Sequence, residues 1–158
     1  AEGQGFLIRN TQLEKCIRVS HHETNSISLT DCKVRSQHQQ WSWDPATSTI
    51  VSLQTKHCLS AHKMQKYAVV KLEPCGDWER QVWSCSKKGR LTLQSSGFHL
   101  STKEGGQKVF VSSEKDKFSR WKTLADETIC AAAWAAAPRP KKRTQQAVDT
   151  RVWSYESK

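Results

Sequence analysis

Three tryptophans divide this sequence into segments of nearly equal length. Trp41, Trp83 and Trp121 are 42 and 38 residues apart, and a short apolar run opens the segment that each of them closes. A sequence period of roughly 20–50 residues is typical of repeat architectures. The spacing therefore predicts three copies of one structural unit over about residues 5 to 125.

Two further landmarks recur in the same order within the three copies. The first begins at Cys16, Cys58 and His99. The second covers Leu29–Cys32, Leu72–Cys75 and Phe110–Ser113. The offsets between successive copies lie between 38 and 43 residues, so the landmarks keep the period of the tryptophans.

Each copy contains four short apolar runs that alternate with polar residues, and Gly, Pro, Asn and Asp separate them. Such runs predict β-strands, and no window keeps the 3.6-residue period of a helix. Three copies of four strands favour a β-trefoil over a β-sandwich, whose strands need no such repeat. We therefore expect an all-β, disulfide-bonded trefoil at residues 1–130, with repeats at about 5–44, 48–85 and 89–125.

The composition changes after residue 130. Residues 131–158 form an Ala-rich junction and a basic polar tail, for which we expect disorder. The basic stretch at 138–143 fits a solvated linker or the cytoplasmic flank of a membrane anchor. No apolar run approaches the roughly 18 residues of a membrane span, so membrane attachment is expected only if another form carries an anchor. The N-terminus would suit a mature end left by signal cleavage.

Six cysteines, with no Cys-x-x-Cys pair, indicate disulfides in an oxidising, extracellular compartment. Free buried thiols are the alternative. The repeat favours two equivalent bridges within copies, which leaves one further pair. The predicted bridges are Cys16–Cys32, Cys58–Cys75 and Cys85–Cys130.

The formal net charge is +10, and residues 1–125 carry 19 Lys/Arg against 11 Asp/Glu. The folded part is thus basic, and a basic surface attracts polyanions such as sulfated glycans or nucleic acid. Because disulfides indicate a secreted or extracellular protein, we do not expect a nucleic-acid partner.

Several motifs carry a family resemblance. Gln-x-Trp closes the copies at Trp41 and Trp83, which resembles the ricin-type β-trefoil. The N-terminal cysteine-rich domain of the mannose receptor family is more similar still. The shared elements are Phe-Leu-Ile at residue 6, Cys-Leu at 58, Gln-x-Trp-x-Cys at 81–85 and Ser-Arg-Trp-Lys at 119–122, followed by Cys130. The resemblance covers about residues 6 to 130.

The resemblance implies a lectin-like module for sulfated or acidic glycans, with a pocket in the third copy. The family's aromatic platform corresponds to Phe118, whose ring could pack on the C–H face of a sugar. Cations and the backbone N–H groups of the turn at 115–118 could hold sulfate oxygens. The candidate cations are Lys103, Lys108, Lys115, Lys117 and Arg120. The alternative is that Phe118 caps the barrel and that the lysines form a solvated face.

The other tryptophans have different expected roles. The three repeat tryptophans and Trp43 are expected in the core. Trp78 lies in a loop beside Asp77, and the pair loosely resembles a second-copy sugar site of the ricin kind.

The six histidines lack ligand spacing within one element, so we predict neither a metal site nor a cofactor. No Gly-x-Ser-x-Gly, His-Glu-x-x-His or phosphate-loop motif occurs, so we do not expect an enzyme. The alternative to a lectin is a protein-interaction module. Such a module would present loops to a receptor or secreted partner beside a degenerate sugar site.

Overall fold

A computed structural model describes residues 5–129 and 131. Within them, twelve short strands alternate with turns, one short helix and two 3₁₀ turns. The strands are β1 (Arg9–Asn10), β2 (Cys16–Val19), β3 (Ile27–Thr30), β4 (Trp41–Asp44), β5 (Thr49–Ser52), β6 (Cys58–Ala61), β7 (Val70–Glu73), β8 (Trp83–Cys85), β9 (Leu91–Leu93), β10 (His99–Ser101), β11 (Phe110–Ser112) and β12 (Trp121–Lys122). The helix α1 covers Trp78–Gln81, and the 3₁₀ turns cover Gln37–Gln39 and Lys117–Ser119.

The strands form three four-stranded sheets, in the orders β12-β1-β2-β3, β4-β5-β6-β7 and β8-β9-β10-β11. The tryptophan strands β4 and β8 each pair with the strand that begins the next copy in sequence. The last strand, β12, returns to pair with β1 through Asn10 and Trp121, and so brings the two ends of the described chain together. The predicted all-β trefoil is confirmed, with sheets offset by one strand from the copies read along the sequence.

The repeat tryptophans lie at the centre of the core. All three are fully buried, and each indole N–H donates to a backbone carbonyl in the second strand of a copy. The donor–acceptor pairs are Trp41 to Ile17 at 3.1 Å, Trp83 to Leu59 at 3.2 Å and Trp121 to Leu100 at 2.9 Å. The core role predicted for the tryptophans is confirmed, and Trp43 packs against the same core while partly exposed.

The hairpin turn before each first landmark uses one left-handed residue. Glu14, Lys56 and Gly97 have φ values of 58°, 65° and 81°, and each N–H donates to the carbonyl four residues earlier at 2.7–2.8 Å. Glycine adopts this conformation without strain. In the first two copies side chains hold the turn, since Asn10 Oδ1 and Ser52 Oγ each accept two of its backbone N–H groups.

The pairing of β10 with β11 corrects one sequence match. Leu29 pairs with Ile17 and Leu72 with Leu59, but the residue opposite Leu100 is Val111. The predicted alignment of Phe110–Ser113 with the cysteine landmarks was therefore wrong by one residue. The position of Cys32 and Cys75 is occupied in the third copy by Glu114, and Phe110 takes an outward-facing position.

Disulfides join Cys16 to Cys32 and Cys58 to Cys75, with Cα–Cα distances of 5.0 and 5.1 Å. These are the equivalent bridges that the repeat predicts. Cys85 is also disulfide-bonded, and its predicted partner, Cys130, lies outside the described residues, as does most of the predicted tail. In the described part of the chain, no helix is long and apolar enough to cross a membrane.

Candidate functional site

The residue three positions before each repeat tryptophan occupies an equivalent place in the three copies. These residues are His38, Arg80 and Phe118, and each lies in the short helix or 3₁₀ turn that precedes the tryptophan strand. The backbone therefore builds three related surface sites. The side chains give each site a different chemistry: imidazole, guanidinium and phenyl.

In the second copy the site is filled by an internal ion-pair network. Arg80 contacts Glu73 at 2.8 Å and Asp77 at 2.7 Å, and its Nη1 also donates to the carbonyls of Ala61 and His62 at 3.2 and 3.3 Å. The hydrogen bond from Arg80 lowers the pKa of Asp77, and Asp77 in turn raises the pKa of Arg80. These charges satisfy one another and leave no vacant cation in the network.

The candidate pair Asp77 and Trp78 lies beside this network. Trp78 is 61% exposed, and both residues line a cavity of about 380 Å³ together with Val51 and Val82. The carboxylate of Asp77, however, binds Arg80 and accepts a hydrogen bond from its backbone N–H as the cap of α1. The structure thus exposes the predicted aromatic but engages the predicted carboxylate.

The third copy has an open cleft of about 550 Å³ beside Phe118. Phe110 and Tyr67 form its other aromatic walls, with their rings edge-to-face at 5.8 Å. Tyr67 comes from the β6–β7 loop of the second copy, and a bridge between Val69 and Phe110 joins the two copies there. The cleft is therefore built across the boundary between copies.

Two lysines and two carboxylates also line the cleft: Lys103, Lys108, Glu114 and Asp116. Glu114 is already paired, since Lys66 Nζ lies 3.1 Å and the Tyr67 hydroxyl 3.4 Å from its Oε2. The hydrogen bond between Lys66 and Glu114 raises the pKa of the Lys66 ammonium.

Asp116 accepts the backbone N–H of Phe118 at 2.9 Å. Among the described residues, Lys103 and Lys108 have no side-chain hydrogen bond or ion pair. Among the described residues Asp116 has no ion pair either, so the charges of the cleft without an ion pair are two ammonium groups and one carboxylate, and their sum is positive.

Phe118 itself is half-buried and lies outside the core cluster. Its backbone is held from both sides, because its carbonyl accepts Asn10 Nδ2 at 2.9 Å and its N–H donates to Asp116. The ammonium of Lys117 lies 5.4 Å from the ring centroid, so one ring face carries a cation. A ligand that stacks on Phe118 has the opposite face.

The structure brings together three of the predicted third-copy residues, Phe118, Lys103 and Lys108. Lys115, Lys117 and Arg120 are exposed and do not line the cleft. Of the turn amides proposed as donors, that of Phe118 is engaged by Asp116.

The cleft residues Tyr67, Phe110 and Glu114 were not predicted from the sequence. The one-residue error in the third copy aligned Phe110 with Leu29 and Leu72, which are buried. Nothing local to Tyr67 indicates that its loop reaches the next copy.

Comparison with known proteins agrees with this architecture. The family model of the ricin-type beta-trefoil lectin domain matches residues 4–70, a little under half of the chain. No curated protein sequence gives a significant match.

Three similar solved structures illustrate the fold. An agglutinin from Abrus precatorius has a TM-score of 0.67 at 19% identity, covering 78% of this chain and 48% of the agglutinin chain. ThreeFoil, a designed threefold-symmetric protein, has a TM-score of 0.67 at 16% identity, covering 77% of this chain and 98% of its own. A ricin B-like lectin from Macrolepiota procera in complex with lactose has a TM-score of 0.65 at 15% identity, covering 78% and 96%.

The threefold sheets and the buried tryptophans define this chain as a β-trefoil. Residues 4–70 match the sequence pattern of the ricin-type beta-trefoil lectin domain, and the described fold is similar to that of the agglutinin. The chain spans about half the length of the agglutinin it matches.

Proposed function

We propose that this trefoil is an extracellular carbohydrate-binding module that takes sulfated or acidic glycans in its third-copy cleft. The observation that carries the proposal is the combination, in one cleft, of aromatic walls with the unpaired ammonium groups of Lys103 and Lys108. The lectin pattern in residues 4–70 supports it, as does the lactose complex of the Macrolepiota procera relative.

The chemistry of the cleft suits a charged sugar. The free face of Phe118 can pack against the C–H face of a pyranose, which in aromatic pairs contributes about 0.5–1.5 kcal/mol beyond area burial. A sulfate or carboxylate would accept charge-assisted hydrogen bonds from the two lysines, which are stronger than neutral ones. Glu114 and Asp116 have remaining lone pairs for sugar hydroxyls. The resemblance to the mannose receptor domains points to the same ligand class, on glycans or glycoproteins.

A glycan array at low and at about 0.3 M salt tests the proposal, because salt screens an exposed basic surface more than a shaped cleft. We expect a small set of sulfated or acidic glycans to remain bound at the higher salt. Uniform polyanion binding that disappears with salt would contradict the cleft. Binding of no glycan by a folded protein would favour a protein-interaction module.

Paired variants then locate the site. The double variant Lys103→Met/Lys108→Met should weaken binding of an array hit by at least about tenfold, since two charge-assisted contacts are lost. Lys87→Met/Lys88→Met is the matched control, because it removes the same charge from exposed positions outside the cleft. Equal losses in both variants would show that only net charge matters.

Phe118→Ala should weaken the same binding by about two- to tenfold, as loss of one stacking contact does. Its melting temperature should change little, because the ring lies outside the core cluster. Trp78→Ala, which truncates an exposed aromatic of the second copy, serves as control. A stable Phe118→Ala protein with unchanged affinity would remove this residue from the site.

A further inference from the structure

The first-copy site contains a stacked pair of histidines. His38 lies in the 3₁₀ turn before Trp41, and His21 lies in the loop after β2. Their ring centroids are 4.0 Å apart with an interplanar angle of 30°. His38 Nδ1 is buried and has no hydrogen-bond partner among the described residues. Sequence spacing could not reveal this pair, because 17 residues separate its members.

Basic residues on three elements act on the pKa of His21. The charge of His38 is the largest cause of a lowered pKa of His21, followed by burial and then by Arg18, His22 and Lys33. Arg18 lies on β2, His22 in the loop of His21, and Lys33 in the loop before the 3₁₀ turn. We call these five residues the histidine cluster. None of the groups that shift the pKa of His21 is a carboxylate.

Carboxylates close in sequence do not neutralise the cluster. Asp31 lies within the field of Lys33, but its Oδ1 is paired with Lys15 Nζ at 2.6 Å, which lowers the pKa of Asp31. Glu23 follows in the His21 loop, where its backbone N–H donates to Ser20 Oγ; its side chain does not contribute to the pKa of His21. The one carboxylate shown to interact with a member of the cluster, Asp31 with Lys33, is thus hydrogen-bonded to Lys15 outside the cluster.

We propose that the histidine cluster is an anion-binding site, separate from the third-copy cleft, that takes a sulfate or carboxylate group when the imidazoles of His21 and His38 are protonated. In the structure the two imidazoles stack as aromatic rings. Protonation places two positive charges about 4 Å apart on the stacked rings. An anion bound beside the stacked, protonated rings and near Arg18 and Lys33 would offset the repulsion between the two ring charges.

Proton and anion binding are reciprocal in such a site. An anion that binds the doubly protonated pair more tightly than the neutral pair must raise the pKa of both rings by the corresponding free energy. This coupling gives a signature that simple attraction to a basic surface does not. A surface lysine patch keeps its charge between pH 5 and 8, so its anion affinity is nearly constant over that range.

NMR titration of the histidine ring signals in the full chain tests the proposal. Titrations from pH 8 to 4.5 would be run in sodium sulfate, sodium acetate and sodium chloride at equal ionic strength. We expect sulfate to raise the pKa values of His21 and His38 relative to chloride. We also expect sulfate affinity at pH 5 to exceed that at pH 7.5 by about tenfold or more, as follows for a ligand that requires protonation. A response to acetate as well would indicate a general anion site, and a response to sulfate alone would restrict the site to sulfate.

Variants separate this site from the third-copy cleft. His21→Gln and His38→Gln should each abolish the pH-dependent part of sulfate binding, whereas His57→Gln, in the second copy, should retain it. Lys103→Met/Lys108→Met should also retain it, so failure of the cleft and failure of the cluster are distinguishable. Equal pKa changes at all six histidines would overturn the proposal, as would unchanged values at His21 and His38.

Discussion

The first two copies and the third share one backbone plan but are fastened differently. In each of the first two, a disulfide joins the second strand to the loop after the third. A buried glutamine also holds this loop in each of them. Gln39 accepts the Lys33 N–H and donates to the Asp31 carbonyl, at 2.8 and 2.9 Å. Gln81 makes the equivalent bonds to Gly76, Asp77 and Pro74 at 2.9–3.1 Å.

The third copy lacks both devices. His99 and Glu114 stand at the two cysteine positions, and Ser119 replaces the glutamine. Ser119 Oγ makes one bond, to the Asp116 carbonyl at 2.8 Å. Freed from the cross-link, Glu114 reaches across to Lys66 and the Tyr67 hydroxyl. The tryptophans thus hold the fold in all three copies. The third copy, which contains the open cleft, has no disulfide between its second strand and the loop after its third strand.

The largest expected effect tests what the copies share. Replacing Trp41, Trp83 or Trp121 by alanine should each destabilise the protein by about 3–5 kcal/mol, because a fully buried ring is lost and a buried carbonyl loses its donor. Urea denaturation measures the loss. Trp78→Ala, at an exposed position, should stay within about ±0.5 kcal/mol. If truncation of one repeat tryptophan cost less than about 1 kcal/mol, the three tryptophans would not share one stabilising role.

The next effect tests what separates the copies. Cys16→Ser/Cys32→Ser and Cys58→Ser/Cys75→Ser should each cost about 3 kcal/mol, as expected for loops of this length in the chain-entropy model. Amide hydrogen exchange should show the loss of protection mainly in the copy that carried the bridge. A loss spread evenly over all copies would mean that the disulfides stabilise the trefoil as a whole rather than individual loops.

A smaller difference is expected for the loop clamps. Gln39→Ala or Gln81→Ala should cost about 1–3 kcal/mol, because each removes two or three hydrogen bonds between a buried glutamine side chain and the loop backbone. Ser119→Ala removes a single hydrogen bond and should cost only about 0.5–1.5 kcal/mol. Thermal unfolding of the three variants under one buffer condition provides the comparison. If Ser119→Ala proved as costly as the glutamine variants, the third loop would be fastened as firmly as the others.

Much of the fold could be predicted from the sequence because the repeat acts on the core. The tryptophan spacing and the recurring Cys-Ile and Cys-Leu pairs report buried positions, and burial constrains residue type strongly. The third copy was misaligned by one residue because it has no cysteine to mark the register. Strand side chains alternate between faces, so this one-residue shift matched the cleft residue Phe110 with the buried residues Leu29 and Leu72.

The candidate sites were less predictable because they depend on contacts between loops. Phe118 was predicted from the family resemblance, through its position directly before Ser119-Arg120-Trp121. Tyr67 reaches the cleft from the neighbouring copy, and His21 meets His38 across a loop of unremarkable composition. Neither contact produces a repeating pattern in the sequence. Equivalent surface positions, such as those of Arg80 and Phe118, also carry chemically different side chains, because core packing does not restrict them.

The smallest expected effect concerns the residue that replaces a cysteine in the third copy. His99 is 7% exposed and contacts Thr92 Oγ1 through Nδ1 at 2.7 Å. Burial lowers its pKa below the ordinary value of 6.5, and the charges of Lys115 and Arg90 add to this. The unfolded chain therefore binds a proton that the folded protein resists, so stability is present above pH 6.5 and is lost as the pH falls through the folded pKa.

Melting temperatures between pH 8 and pH 5 report on the histidines with lowered pKa values, His99 and His21, since Asp77 and Asp31, whose pKa values are lowered from 3.8, keep their charge over this range. The wild-type melting temperature should fall with pH. His99→Asn, which keeps a polar atom near Thr92, should show a smaller fall, and His57→Gln should show the full wild-type fall. An identical pH dependence in His99→Asn and wild type would mean that the third copy accommodates a charged imidazole at the cysteine position. Histidine in place of cysteine at this position would then cause no pH-dependent loss of stability. The copies would differ only in the contacts that hold their loops.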